Sequence, residues 1–133
     1  MPDRAFLDTN ILVYAFTFVD PRKPRADELL IRGGVIAIQT LNEFISVQHN
    51  KLKRSWADIV TWLKLIDGLC PSPIPMTQKV HYRAVDIAQR YGYHIYDSTM
   101  LATAIEASCT VFYTEELRDG HSIDGLKIRN PFV

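Results

Sequence analysis

Apolar positions fall into two kinds of stretch: short continuous runs, and longer segments with one apolar face at helical spacing. The runs predict strands over 4–7, 35–38, 110–113 and 125–129, each bounded by polar or turn residues. Val35-Ile36-Ala37-Ile38 is entirely apolar, as a strand buried on both faces requires. An apolar run from Ile11 to Phe16 follows the first strand. A short helix is predicted over 25–32, closed by Gly33-Gly34. Thr40 opens a second helix carrying Leu41, Phe44, Ile45, Val47 and Leu52 near one face. Ser55 opens a third with Ile59, Leu63 and Ile66 inward, and Thr77 a fourth with Val80, Ala84, Ile87 and Tyr91. A fifth starts at Asp97 or Ser98 and carries Leu101, Ala104 and Ile105. Strands alternating with helices predict an α/β fold, three layers deep (α/β/α), around a mostly parallel central sheet. In such sheets, ligands gather beyond the carboxyl ends of the strands.

With 133 residues and 47% hydrophobic content, the chain is expected to form a single domain over 1–133 with its own core. The Pro71-Ser72-Pro73-Ile74-Pro75 stretch reads as an extended connection, too short for an interdomain linker. No apolar run approaches the ~18–20 residues of a membrane span, and Met1-Pro2-Asp3-Arg4 lacks secretory-leader character. Cys70 and Cys109 have no metal-ligand spacing and read as buried free thiols. The expectation is a soluble cytoplasmic protein with no membrane association. Lys and Arg number 15 and Asp and Glu 15, so charge alone does not hold a nucleic acid.

The strand-end rule directs attention to the acids. Asp8 follows the first strand, Glu116 follows the 110–113 strand, and Glu43 and Asp97 stand near helix starts. Each has an ordinary structural explanation. Asp8 and Asp97 can cap helices, Thr40-Leu41-Asn42-Glu43 fits a capping box, and Glu116 can be a solvated loop acid. Their joint placement changes the picture, because a parallel sheet could bring all four to one edge. Four carboxylates there repel one another and stay ionised together only with cations between them. Such hard oxygen donors suit Mg²⁺ or Mn²⁺, and an ion pair of this kind assists phosphodiester hydrolysis. His49, His81, His94 and His121 show no paired spacing, and P-loop, dinucleotide and nucleophile-elbow motifs are absent.

These residues resemble a known family. Phe6-Leu7-Asp8-Thr9-Asn10-Ile11-Leu12-Val13-Tyr14 is similar to the opening of PIN-domain ribonucleases, and Gln39-Thr40-Leu41-Asn42-Glu43-Phe44 to their middle segment. The blocks Tyr96-Asp97-Ser98-Thr99-Met100-Leu101-Ala102-Thr103-Ala104 and Val111-Phe112-Tyr113-Thr114-Glu115-Glu116-Leu117, with the ending Ile128-Arg129-Asn130-Pro131-Phe132, extend the likeness over the whole chain. Within that family the chain most resembles VapC-type toxins of toxin–antitoxin pairs.

The resemblance implies a PIN-like fold and a Mg²⁺- or Mn²⁺-dependent endoribonuclease. It also implies inhibition by a small VapB-like antitoxin, and a homodimer. Asp8, Glu43 and Asp97 match the family's metal-binding acids. Glu116 stands where the family usually has Asp, one methylene shorter, and Asp119 is an outer-shell substitute. Thr9, Asn10 and Thr114 match its hydroxyl and amide neighbours, and the implied role is to hold the carboxylates in orientation by hydrogen bonds. Ser98 replaces a more usual alanine.

RNA contact is expected from two basic clusters, Arg22, Lys23 and Arg25, and Lys51, Lys53 and Arg54, with Lys64 further along. Trp56, Trp62, Phe16, Phe18 and Tyr14 could supply an apolar docking surface or belong to the core. Two rival readings are a phosphatase of the haloacid dehalogenase type and a catalytically silent binding module. The first normally needs an acid two residues after Asp8, where Asn10 stands. With four acids in one metal site, 15 cations face 11 anions elsewhere, so zero net charge is compatible with a mildly basic rim.

Overall fold

The computed structural model describes residues 4–133; Met1, Pro2 and Asp3, most of the segment read above for leader character, lie outside them. The chain folds as β1 (Ala5–Leu7), α1 (Thr9–Ala15), α2 (Lys23–Ile31), α3 (Ile38–Ser46), a π-helical turn (Val47–Lys51), α4 (Trp56–Leu69), α5 (Gln78–Tyr91), α6 (Ile95–Glu106), β2 (Val111–Tyr113), β3 (Ser122–Ile123) and β4 (Leu126–Arg129). The sheet order is β1-β2-β4-β3. β1–β2 and β2–β4 are parallel, and the short β3 pairs antiparallel to β4. The expected three-layer fold around a mostly parallel sheet is therefore present.

Side-chain alternation along the strands creates the layers. Phe6 and Phe112 point to one face, stacked with centroids 5.1 Å apart and planes 6° apart. There they pack with Val80, Ala84 and Ile87 of α5 and Leu101 and Ala104 of α6. Leu7 points to the other face, among Ile11 and Leu12 of α1, Leu29 of α2, Phe44 of α3 and Ile66 of α4. Each fully buried Phe or Leu contributes about 1.5–3 kcal/mol. No helix among the described residues is long and apolar enough to cross a membrane.

The helix-start chemistry is part as expected and part different. Ser55 and Thr77 cap α4 and α5, their hydroxyls accepting from the Asp58 and Val80 N–H groups at 3.1 Å each. The run Ile11–Phe16 lies mostly in α1, which starts directly after Asp8.

The expected strand over 35–38 is a correction. Only isolated parallel bridges form, Phe6 to Val35 and Ala37 to Ile74, and α3 takes over at Ile38. The helix starting at Thr40 is corrected with it. Ala37 is the cap residue, and Thr40, one turn in, accepts from the Ala37 N–H at 3.0 Å. Likewise α6 starts at Ile95 rather than at Asp97 or Ser98, because His94 caps it through Nδ1, which accepts from the Tyr96 N–H. The predicted 125–129 strand gains a partner, since Asp124 and Gly125 both take positive φ and close a tight β3–β4 hairpin.

Candidate active site

The two corrected helix starts matter for the site, because they release both acids from capping. With Ala37 at the cap, Glu43 lies deeper in α3, and its carboxylate turns to other partners. With His94 at the cap, Asp97 stands in the first turn of α6 with its side chain on a cleft. Asp8 does both jobs: Oδ1 accepts from the Thr9 N–H at 2.8 Å while the residue lines the same cleft. Glu116 reaches it from the loop after β2.

This cleft, about 390 Å³, lies at the carboxyl ends of β1 and β2. All four sequence-derived acids line it, each from a different element. Asp8 is buried, Glu43 and Asp97 are half-buried, and Glu116 is exposed, so the acids grade from floor to rim. Among the described residues, no three His, Cys, Asp or Glu side chains are already drawn together at cation-binding spacing. A set that supplies Mg²⁺ with one or two carboxylates at a time, the remaining positions going to water and phosphate, needs no such closure.

Polar neighbours orient the acids. Thr114 Oγ1 donates to Asp8 Oδ2 at 2.8 Å, and itself accepts from the Glu116 N–H at 3.1 Å. Asn10 Nδ2 approaches Thr114 Oγ1 at 3.2 Å and Asp8 Oδ2 at 3.5 Å. Thr9 Oγ1 donates to Glu43 Oε2 at 2.7 Å, and Gln39 Nε2 to Glu43 Oε1 at 3.0 Å. Thr9, Asn10 and Thr114 thus touch the acids, Thr9 reaching Glu43 from α1 and Thr114 reaching Asp8 from the end of β2. Asp119 does not line the cleft; its Oδ1 accepts from the Asn130 N–H at 2.8 Å and pins the chain after β4. Gln39 carried no earlier assignment, although its position four residues before Glu43 on one helix face was the available signal.

Burial and mutual repulsion disfavour the ionised acids. The Asp8 carboxyl is pushed up to about 7, first by burial, with Glu116 and Asp97 adding repulsion and Thr114 opposing it. Asp97 is raised by burial and by Glu43, and Glu116 by burial and then by Asp97. The acids therefore sense one another across the cleft. Replacing Thr114 with Val removes the donor to Asp8 at nearly constant volume. The expected cost is about 1–3 kcal/mol at pH 8, where Asp8 is ionised, and less at pH 5.5; urea unfolding at the two pH values measures it. Equal losses at both would contradict the assignment.

The basic clusters separate. Arg22 is held by Asp20 and Glu115, Lys23 by Asp27, and Arg25 by Glu28, so internal ion pairs neutralise this first cluster. The Arg22 guanidinium also lies 3.7 Å over the Tyr14 ring, and the Tyr14 hydroxyl bonds Glu115. Lys51 lines the cleft, and Lys53 and Arg54 are exposed just beyond it. Of the aromatic candidates, Phe16 is buried and Trp62 is half-buried against Phe16 and Phe18, while Phe18 and Trp56 are exposed. Val13, Tyr14, Ser46 and Val47 complete the cleft wall without having been singled out as site residues by sequence.

Several solved structures share this fold. A toxin–antitoxin complex from Klebsiella pneumoniae superposes with a TM-score of 0.72 at 23% identity, over 96% of this chain and 98% of that one. VapC20 of Mycobacterium tuberculosis, described as a toxin that cleaves the sarcin–ricin loop, gives 0.67 at 15% identity over 81% and 86%. VapBC2 of Rickettsia felis, bound to a DNA fragment from its promoter, gives 0.65 at 20% identity over 95% and 97%. No curated protein matches the sequence. The PIN domain family matches residues 5–118, a span that contains all four acids, and the chain belongs to that family.

Proposed function

We propose that this protein is a Mg²⁺- or Mn²⁺-dependent endoribonuclease, the toxin of a toxin–antitoxin pair. One observation carries the reading: four carboxylates from four separate elements face a single cleft at the carboxyl edge of the sheet, with the innermost one buried. The donor set is all hard oxygen, and an ionised Asp8 at that depth calls for a neighbouring positive charge. Asp8, Glu43, Asp97 and Glu116 would hold the ions, which when bound supply an activated water and charge stabilisation for phosphodiester cleavage.

The rest falls to the chain itself. Thr114 and the Thr9 N–H hold both Asp8 oxygens, while Thr9 and Gln39 hold both Glu43 oxygens. This fixes the acids before substrate arrives, the condition for effective metal ligands. Asn10 donates toward Asp8 where a phosphatase of the dehalogenase type needs an acid, which leaves that alternative without support.

The toxin-related neighbours support a small VapB-like antitoxin as the partner. The exposed Phe18, edge-on to Trp62, is the apolar ledge we assign to it. A homodimer completes the reading. The deciding experiment incubates the purified chain with a structured RNA and Mg²⁺ or Mn²⁺. Cleavage that stops with EDTA is expected; an inert RNA with either metal overturns the nuclease assignment and favours a silent PIN-fold module.

A further inference from the structure

We propose that residues 51–56 form the track on which single-stranded RNA leaves the cleft, with the Trp56 indole stacking one base and Lys51, Lys53 and Arg54 meeting the backbone phosphates. This rests on the ribonuclease reading above and deepens it by locating the substrate. A cleft of about 390 Å³ takes one ligand-sized group, so a polymer lies across its rim. The rim segment that begins inside the cleft, at Lys51, is this one.

Its shape is fixed by its own backbone. The π-helical turn Val47–Lys51 ends with the Leu52 N–H bonding the Val47 carbonyl at 2.9 Å. Lys53 takes a left-handed φ of 59° and turns the chain. The Arg54 N–H then donates to the Gln48 carbonyl at 2.8 Å, and His49 Nδ1 lies 3.3 Å from the Arg54 carbonyl. The His49 ring packs 4.3 Å from the Trp56 ring at 32°, holding the indole while leaving it 53% exposed.

Charge separates this surface from the alternatives. No acid occurs between Phe44 and Asp58. Among the described residues Lys51, Lys53 and Arg54 have no ion-pair partner, whereas Arg22, Lys23 and Arg25 are all paired. Tyr14, the aromatic inside the cleft, is already covered by Arg22 and met edge-on by Phe132. Unpaired cations interleaved with an exposed indole suit a single-stranded nucleic acid, because every base offers a face for stacking.

The test is binding of a labelled, random-sequence 20-nucleotide single-stranded RNA pool to protein silenced by Asp8→Asn, titrated across salt concentrations. In that background Trp56→Ala weakens binding on the order of 5- to 100-fold with an unchanged salt slope, and Trp56→Phe recovers most of the affinity. Lys53→Gln with Arg54→Gln lowers the slope of log affinity on log salt by about 1.4. Lys79→Ala, on α5 and away from the cleft, changes neither. Unchanged affinity and slope in the Trp56 and Lys53/Arg54 variants would overturn the track and leave the nuclease reading standing. Absence of RNA binding even before the track is altered would overturn both. A Trp56→Ala effect confined to sedimentation would instead make the segment a protein-contact surface.

Discussion

Asp8→Asn is expected to abolish metal-dependent RNA cleavage, by at least on the order of 10²–10³-fold, and at the same time to raise the melting temperature in EDTA at pH 8. The two effects share a cause. Asp8 lies at the cleft floor with 5% of its surface exposed, so its charge is costly unless a cation compensates it. A carboxyl raised from 3.8 to about 7 carries a penalty of about 4 kcal/mol when ionised in the fold. Asparagine keeps the size and retains an oxygen for the Thr9 N–H. It removes the charge, and with it the metal ligand that the proposed function requires of Asp8. A gain of a few kcal/mol corresponds to roughly 5–10 °C in a domain of this size. Activity assays beside thermal melts decide it. A variant that is inactive and also less stable in EDTA would identify Asp8 as a structural cap alone.

Without metal, the protein is expected to be more stable at pH 5.5 than at pH 8, and divalent cations are expected to cancel that difference. Asp8 has a folded value above its unfolded one, so between about 4 and about 7 the folded state binds the extra proton. Stability then falls as pH rises through this window, by up to about 1.4 kcal/mol per unit, and is flat above it. Asp97 and Glu116 are raised in the same direction and add to the slope. On the proposed function Mg²⁺ or Mn²⁺ would bind the ionised acids, so its stabilisation is expected to be largest at pH 8 and to shrink towards pH 5.5. Urea unfolding with EDTA or with Mn²⁺, across pH 5 to 8.5, reads both slopes. Metal-free stability that increases with pH over this range would mean the acids are compensated internally.

The two expectations concern side chains whose chemistry was legible early. Asp8, Glu43, Asp97 and Glu116 were readable because each follows a strand or stands near an expected helix start, where a parallel sheet gathers residues at one edge. Thr9, Asn10 and Thr114 were readable through the resemblance to PIN-domain ribonucleases, and their contacts with Asp8 and Glu43 came from the fold. Element boundaries were less legible. Thr40 and Asp97 both carry capping chemistry, yet Ala37 and His94 occupy the caps. A cap is chosen by where the preceding chain leaves the sheet, and local propensity does not encode that departure.

The basic clusters show the same division. Lys23 and Arg25 pair with acids four and three residues further on, which the sequence already offers, whereas only the fold sets Glu115 across from Arg22 over 93 residues of chain. The ion pairs of Arg22, Lys23 and Arg25 leave Lys51, Lys53 and Arg54 as the unpaired set. Asp119 was sorted in this way too, drawn by the Asn130 N–H away from the acids it follows in sequence.

The sequence by itself determined the layers and the acids. Apolar runs and helical periods set which faces must be buried, and that requirement is local in its cause. Tertiary structure alone decided which carboxylate is buried deepest, that Glu115 meets Arg22, and where the helices start. Those outcomes depend on distances between residues remote in sequence, and Coulomb and burial energies are set by those distances.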